Sequence, residues 1–164
     1  MKNTNRKNSA YIFAFTFTSA VAFIYLLISI ALIPYWQELS GNEIQAWWSG
    51  PFTRFSYLMV PVHVLSIATC VYAYLLHRKE SRPLNLLWVF ALVTLLICQG
   101  FNFGLYGSTY NPALQSGTLG ASEALGLFDK WSFYHHIRTA SVCVSMVLLI
   151  VIGIRPKSGV IHPN

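Results

Sequence analysis

The chain has 164 residues, 55% of them hydrophobic, 15% aromatic and only 10% charged. Soluble domains carry roughly a quarter charged residues, so this balance excludes a disordered chain, a disulfide-stapled secreted domain and an ordinary soluble enzyme. The net charge of +6 comes without a long basic run or a nucleic-acid motif, which makes the expected partner a lipid bilayer and not a nucleic acid.

A helix needs about 20 mostly apolar residues to cross the hydrocarbon core of a membrane. Four stretches qualify, at about 10–33, 57–76, 84–106 and 132–154, and only the last holds a charge, Arg138. The first follows Lys2, Arg6 and Lys7 as a signal peptide would, but its apolar run is too long and no small-residue cleavage site follows. It reads as a retained span. Between spans one and two, Ser40-x-x-Glu43 is a capping box that opens a short helix, and Gly50-Pro51 is expected to end it. Between spans three and four, Asn111-Pro112 reads as a turn and residues 121–128 as a short interfacial helix. The expectation is a single all-α membrane domain over residues 1–164, a four-transmembrane-helix bundle whose two outer loops carry short interfacial helices.

Charge sets the direction. Lys2, Arg6, Lys7, Arg78, Lys79, Arg82, Arg155 and Lys157, eight of the eleven basic residues, fall on one side. Glu38, Glu43, Glu123 and Asp129 fall on the other with Arg54 and Lys130. The positive-inside rule then predicts a multi-pass protein of the plasma (inner) membrane with both termini cytoplasmic. Cys70, Cys98 and Cys143 each lie within an apolar stretch and form no C-x-x-C pair, which argues for buried core residues and against paired redox thiols.

Polar side chains inside spans are costly and ask for partners. Here they gather at one depth. His63 lies about 9 Å below the outer edge of span two, Gln99 and Asn102 about 10 and 6 Å deep in span three, and His135 and Arg138 about 6 and 10 Å deep in span four. Span one contributes Tyr25 and Ser29. Gln99, Asn102 and Tyr106 share one helical face, and Trp131, His135, Arg138 and Val142 share another. Thr18, Ala22, Tyr25 and Ser29 form a seam of small and polar residues. Arg138 is the decisive residue. A guanidinium keeps its charge, no acid lies in any span, and so it needs either a loop carboxylate (Glu43, Glu123 or Asp129) or a bound anion. His63 and His135 are nearly level and offer an alternative metal or bis-histidine haem site. The set lacks an H-x-x-x-H pair and a carboxylate at that depth, so no cofactor and no metal are expected.

The run Asn111-Pro112-Ala113-Leu114, then Ser116-Gly117, then Trp131-x-x-x-His135-x-x-Arg138-Thr139 resembles the anthrone-oxygenase-like family of small four-helix membrane proteins. The resemblance covers most of residues 10–154, and Trp47-Trp48 and Arg54-Phe55 fit the family's first outer loop. It implies an oxidoreductase acting on a phenolic or polycyclic aromatic substrate, by base-assisted reaction with oxygen. On that reading His135 and Arg138 are catalytic, the first as general base and the second, with Asn102, as oxyanion partner. Trp131, Asn102, Gln99, His63 and Tyr25 bind a small aromatic ligand. The competing reading is a non-enzymatic bundle, serving small-ligand binding, transport or as an accessory subunit, in which the same polar layer is structural.

Overall fold

The structure, a computed structural model, describes residues 2–155, with side chains from Thr4 onward. Lys157 lies outside the described residues, as does the Lys2 side chain. Four long helices, α1 (Thr4–Gln37), α2 (Gly41–His77), α3 (Arg82–Gln115) and α4 (Ala121–Ile154), are each long and apolar enough to cross a membrane. Among the described residues there is no strand. The helices run up and down in a ring. α1 packs closely on α2 and α3 closely on α4, α4 also packs on α1, and the seam between α2 and α3 is the loosest of the four.

Composition explains the burial pattern. Ala10, Ala14, Thr18, Val21 and Ala22 on α1 turn inward with Cys70, Ala73, Ala91 and Ser145, where small side chains let the helices approach closely. Large apolar side chains, among them Phe13, Phe23, Ile30, Leu58, Phe90, Leu96, Phe133 and Val147, point outward and form the belt expected of a lipid-facing surface. The three cysteines are free, Cys70 and Cys98 buried and Cys143 half-buried.

At about 1.5 Å per residue each helix is roughly 50 Å long, well beyond a hydrocarbon core of about 30 Å. The excess stands at one end, where the outer loops were expected. Those segments are helical as the sequence indicates, but they continue the spans instead of standing apart from them. The Ser40–Glu43 capping box opens α2 as foreseen. Gly50-Pro51 does not end that helix, because the backbone relaxes into a π-helical segment at Trp48–Phe52 and the Thr53 hydroxyl takes up the Trp48 carbonyl at 2.5 Å. Asn111-Pro112 is likewise no turn. It follows a π-helical stretch, Phe101–Tyr110, and opens the last α-helical piece of α3. Residues 121–128 are simply the first turns of α4.

The connections hold these extended ends together. Gln45, buried on α2, accepts from the Leu119 N–H and donates to the Leu119 carbonyl, both at 3.0 Å, clamping the α3–α4 link. Gly41 touches α4 so closely that a Cβ would collide with the Ala121 carbonyl. At the opposite, basic end, Lys7 and His77 both meet Glu80, at 2.6 and 3.0 Å, and Arg6 donates to the Tyr72 hydroxyl at 2.7 Å.

Candidate functional site

Four helices bring one polar network to a single level. The Tyr25 hydroxyl donates to Asn102 Oδ1 at 2.7 Å, and Arg138 Nη1 donates to the same oxygen at 2.5 Å. Asn102 Nδ2 in turn donates to Gln99 Oε1 at 2.9 Å, which fixes the amide's orientation. Arg138 also donates to His135 Nδ1, from Nε at 3.0 Å and from Nη2 at 2.6 Å. A nitrogen that accepts carries no proton, so His135 is protonated on Nε2, which donates to the Tyr25 carbonyl at 3.1 Å.

His63 Nε2 bonds the Tyr25 hydroxyl, which also reaches Asn102 Oδ1. Nδ1 is the ring nitrogen left over, and it carries a bare lone pair in the tautomer whose proton sits on Nε2. Nδ1 is buried and has no partner. One ring nitrogen of His63 is thus unengaged, whereas both ring nitrogens of His135 have partners.

Arg138 is 5% exposed and faces no carboxylate. Among the described residues the ion pairs are those of Lys7 and His77 with Glu80, and Glu123 and Asp129 are solvent-exposed. Loop acids therefore do not cap this cation. It is sandwiched by aromatic faces instead, its guanidinium carbon lying 3.9 Å from the Tyr106 ring centroid, 4.5 Å from Tyr25 and 5.3 Å from Trp131. Such contacts help hold a desolvated cation but leave its net charge uncancelled.

The network opens onto a cavity of about 300 Å³ that runs along the loose α2–α3 seam. Tyr25, His63, Asn102 and Arg138 line its deep end. Phe52, Phe55, Met59, Phe103 and Tyr106 form apolar walls, and Ser56, Asn111 and Gln115 add polar groups toward the aromatic end. Tyr57 and Phe103 at its rim are 74% and 55% exposed and belong to the lipid-facing belt. Above it, Trp36, Trp48, Phe52, Phe128 and Trp131 interlock edge to face and in stacks, with centroids 4.6–6.3 Å apart, and seal the end of the bundle.

Of the residues expected from the sequence, Tyr25, His63, Asn102 and Arg138 line the cavity, while Trp131, His135 and Gln99 stand behind it. Trp131 stacks on His135 at 5.1 Å, within the sealed cluster and not against the cavity. His135 thus lacks the free lone pair that its expected role as general base requires. Its place is behind Arg138, where it holds the guanidinium. The space that a metal or haem shared by His63 and His135 would occupy holds the Tyr25 ring, 5.4 and 5.3 Å from the two imidazoles, so these residues do not fit that group. Among the described residues no cluster of three His, Cys, Asp or Glu side chains is placed to hold a metal.

Sequence reasoning missed Asn111. At about 100° per residue it would lie on the far side of α3 from Asn102. The π-helical stretch between them has wider turns, roughly 80° per residue, and brings both onto one face. The unusual run of Gly104, Gly107 and small polar residues was the available signal.

Comparison with known proteins gives one family. A model described as anthrone oxygenase matches residues 48–148, which takes in α2 from its π segment onward, all of α3 and most of α4. No curated protein and no solved structure matches the chain.

Proposed function

The chain belongs to the anthrone oxygenase family, and on that premise we propose that its cavity oxidises a flat, enolisable phenolic or polycyclic ketone with molecular oxygen. The observation that carries this reading is an uncompensated buried guanidinium lining one cavity with a histidine, His63, whose buried Nδ1 has no hydrogen-bond partner.

The chemistry follows from those two groups. An anthrone carries acidic hydrogens on the ring carbon opposite its carbonyl. His63, with its ring proton on Nε2 and its ring turned so that the buried Nδ1 reaches the substrate, removes one; the electron pair moves into the ring system and leaves the negative charge on the former carbonyl oxygen. Arg138 receives that oxyanion in a site with little water, where a fixed positive charge is worth far more than in solution. The electron-rich enolate gives its electrons to oxygen and forms a hydroperoxide at the deprotonated carbon. Loss of water then yields the quinone, so one oxygen molecule is consumed per anthrone and one water is released. The substrate itself supplies the electrons, and the reaction calls for no cofactor.

His135 and Asn102 are positioning residues on this account. They hold Arg138 over the Tyr106 ring at the cavity wall. The rim on the lipid-facing belt suits a substrate dissolved in the bilayer. The basic residues at the opposite end support an orientation with both termini in the cytoplasm of a plasma-membrane protein, so that the cavity opens in the outer leaflet.

The test is oxygen uptake by purified protein in detergent with anthrone. Uptake is expected well above the spontaneous background, with equal amounts of quinone formed, and the Arg138→Met protein should return to near background. A wild-type rate no greater than that of Arg138→Met would reject the reading. Reporter fusions after Lys79 should report cytoplasm and those after Gly117 the outside. The reverse pattern would overturn the orientation.

A further inference from the structure

The far end of the cavity holds a second fixed donor. Asn111 Oδ1 accepts from two indole N–H groups, Trp131 Nε1 at 3.1 Å and Trp48 Nε1 at 3.4 Å. An indole nitrogen only donates, so the two together decide which end of the amide is oxygen. The amide nitrogen with its two N–H groups must point the other way. Asn111 lines the cavity, and among the described residues nothing accepts from Nδ2. Both indoles are fully buried within the aromatic cluster, so the amide is held rigidly and cannot turn to meet a different partner.

Asn111 stands nine residues beyond Asn102 on the same face of α3, on the order of 10 Å along the helix from the Arg138 contact. Phe52, Phe55 and Tyr106 wall the space between with flat apolar surface. Resting on the proposed oxidation, we infer that the cavity selects a flat ring system with two oxygen functions. One is the carbonyl that meets Arg138, and the other is an acceptor oxygen on the remote edge that takes a hydrogen bond from Asn111 Nδ2. An immobile donor left unpaired by a substrate lacking that oxygen gives discrimination, because the site loses a bond to water and gains none.

Equilibrium binding of quinones tests this without any turnover. The probes are unsubstituted anthraquinone and the set of its methoxy isomers, followed by quenching of tryptophan fluorescence in the full-length protein. A methoxy oxygen only accepts. Asn111→Asp keeps an oxygen for the two indoles and replaces the donor with a second acceptor. At least one methoxy isomer should bind the wild type about tenfold tighter than the parent quinone does and lose that advantage in Asn111→Asp. The parent quinone should bind both proteins within about twofold. Asn111→Ser, which retains a hydroxyl for one indole, should show the same selective loss and guards against a folding defect in the first variant. If no isomer is favoured, if both ligands weaken equally, or if the wild type binds neither, the inference fails. Failure of the oxidation reading shows separately, as absence of oxygen uptake with binding intact.

Discussion

The basic end of the bundle and its interior each hold a cation, and they treat it oppositely. At the basic end Lys7 meets Glu80 at 2.6 Å, with both side chains partly in water. That pair is neutral, solvated and complete. It ties the start of α1 to the α2–α3 link and asks for nothing further. Midway along α4 Arg138 is buried among rings, holds two neutral acceptors and has no acid. A charge left uncancelled inside the bundle costs stability unless something else makes use of it. The difference separates a staple from a site.

The largest expected effect breaks the site and spares the staple. His63→Gln keeps a donor for the Tyr25 hydroxyl but presents an amide in place of the basic nitrogen. Anthrone oxidation should fall by roughly 10²–10⁴-fold, the usual share of a general base, with the melting temperature little changed. Retained turnover would remove His63 from the mechanism. Arg138→Met should lower the rate by about 10²–10³-fold. Its effect on thermal unfolding in detergent should be small, because relief of a buried charge offsets the stranding of His135 Nδ1. A loss of several kcal/mol would mean that the guanidinium is structural after all.

His135→Gln sharpens the division between base and positioner. It should cost on the order of tenfold in rate, because Arg138 loses its guide but His63 keeps its lone pair. Complete loss of activity would restore His135 as the base. Gln45→Leu touches neither cation and strips both partners from Leu119. It should destabilise by about 1–3 kcal/mol in a chemical or thermal melt.

The smallest effect belongs to the staple. Partial burial works to raise the Glu80 carboxyl, but bonds from Lys7 and His77 outweigh it and hold it below the usual carboxylate range. A carboxyl lowered on folding stabilises above its unfolded value of about 4.3 and loses that contribution as pH falls through the folded one. Glu80→Gln should therefore cost under about 1 kcal/mol at neutral pH and flatten the melting temperature's fall in acid.

Long uninterrupted apolar runs determined the four spans, because a bilayer admits little else, and the basic residues grouped at one end indicated a direction. Comparing depths along those spans was enough to collect Tyr25, His63, Asn102 and Arg138 at one level, since every α-helix rises by the same amount per residue. Three things lay outside its reach, each for a stated reason. Gly50-Pro51 and Asn111-Pro112 read as breaks, but the chain stays helical, through a π segment at the first and on from a π stretch at the second. That widening moved Asn111 around α3 and into the cavity, which no α-helical periodicity anticipates. The different surroundings of His63 and His135 were decided by hydrogen bonds from residues far apart in the chain. Tyr25 and Arg138 together engage both nitrogens of His135 and only one of His63, and a sequence records the histidines but not the partners that occupy them.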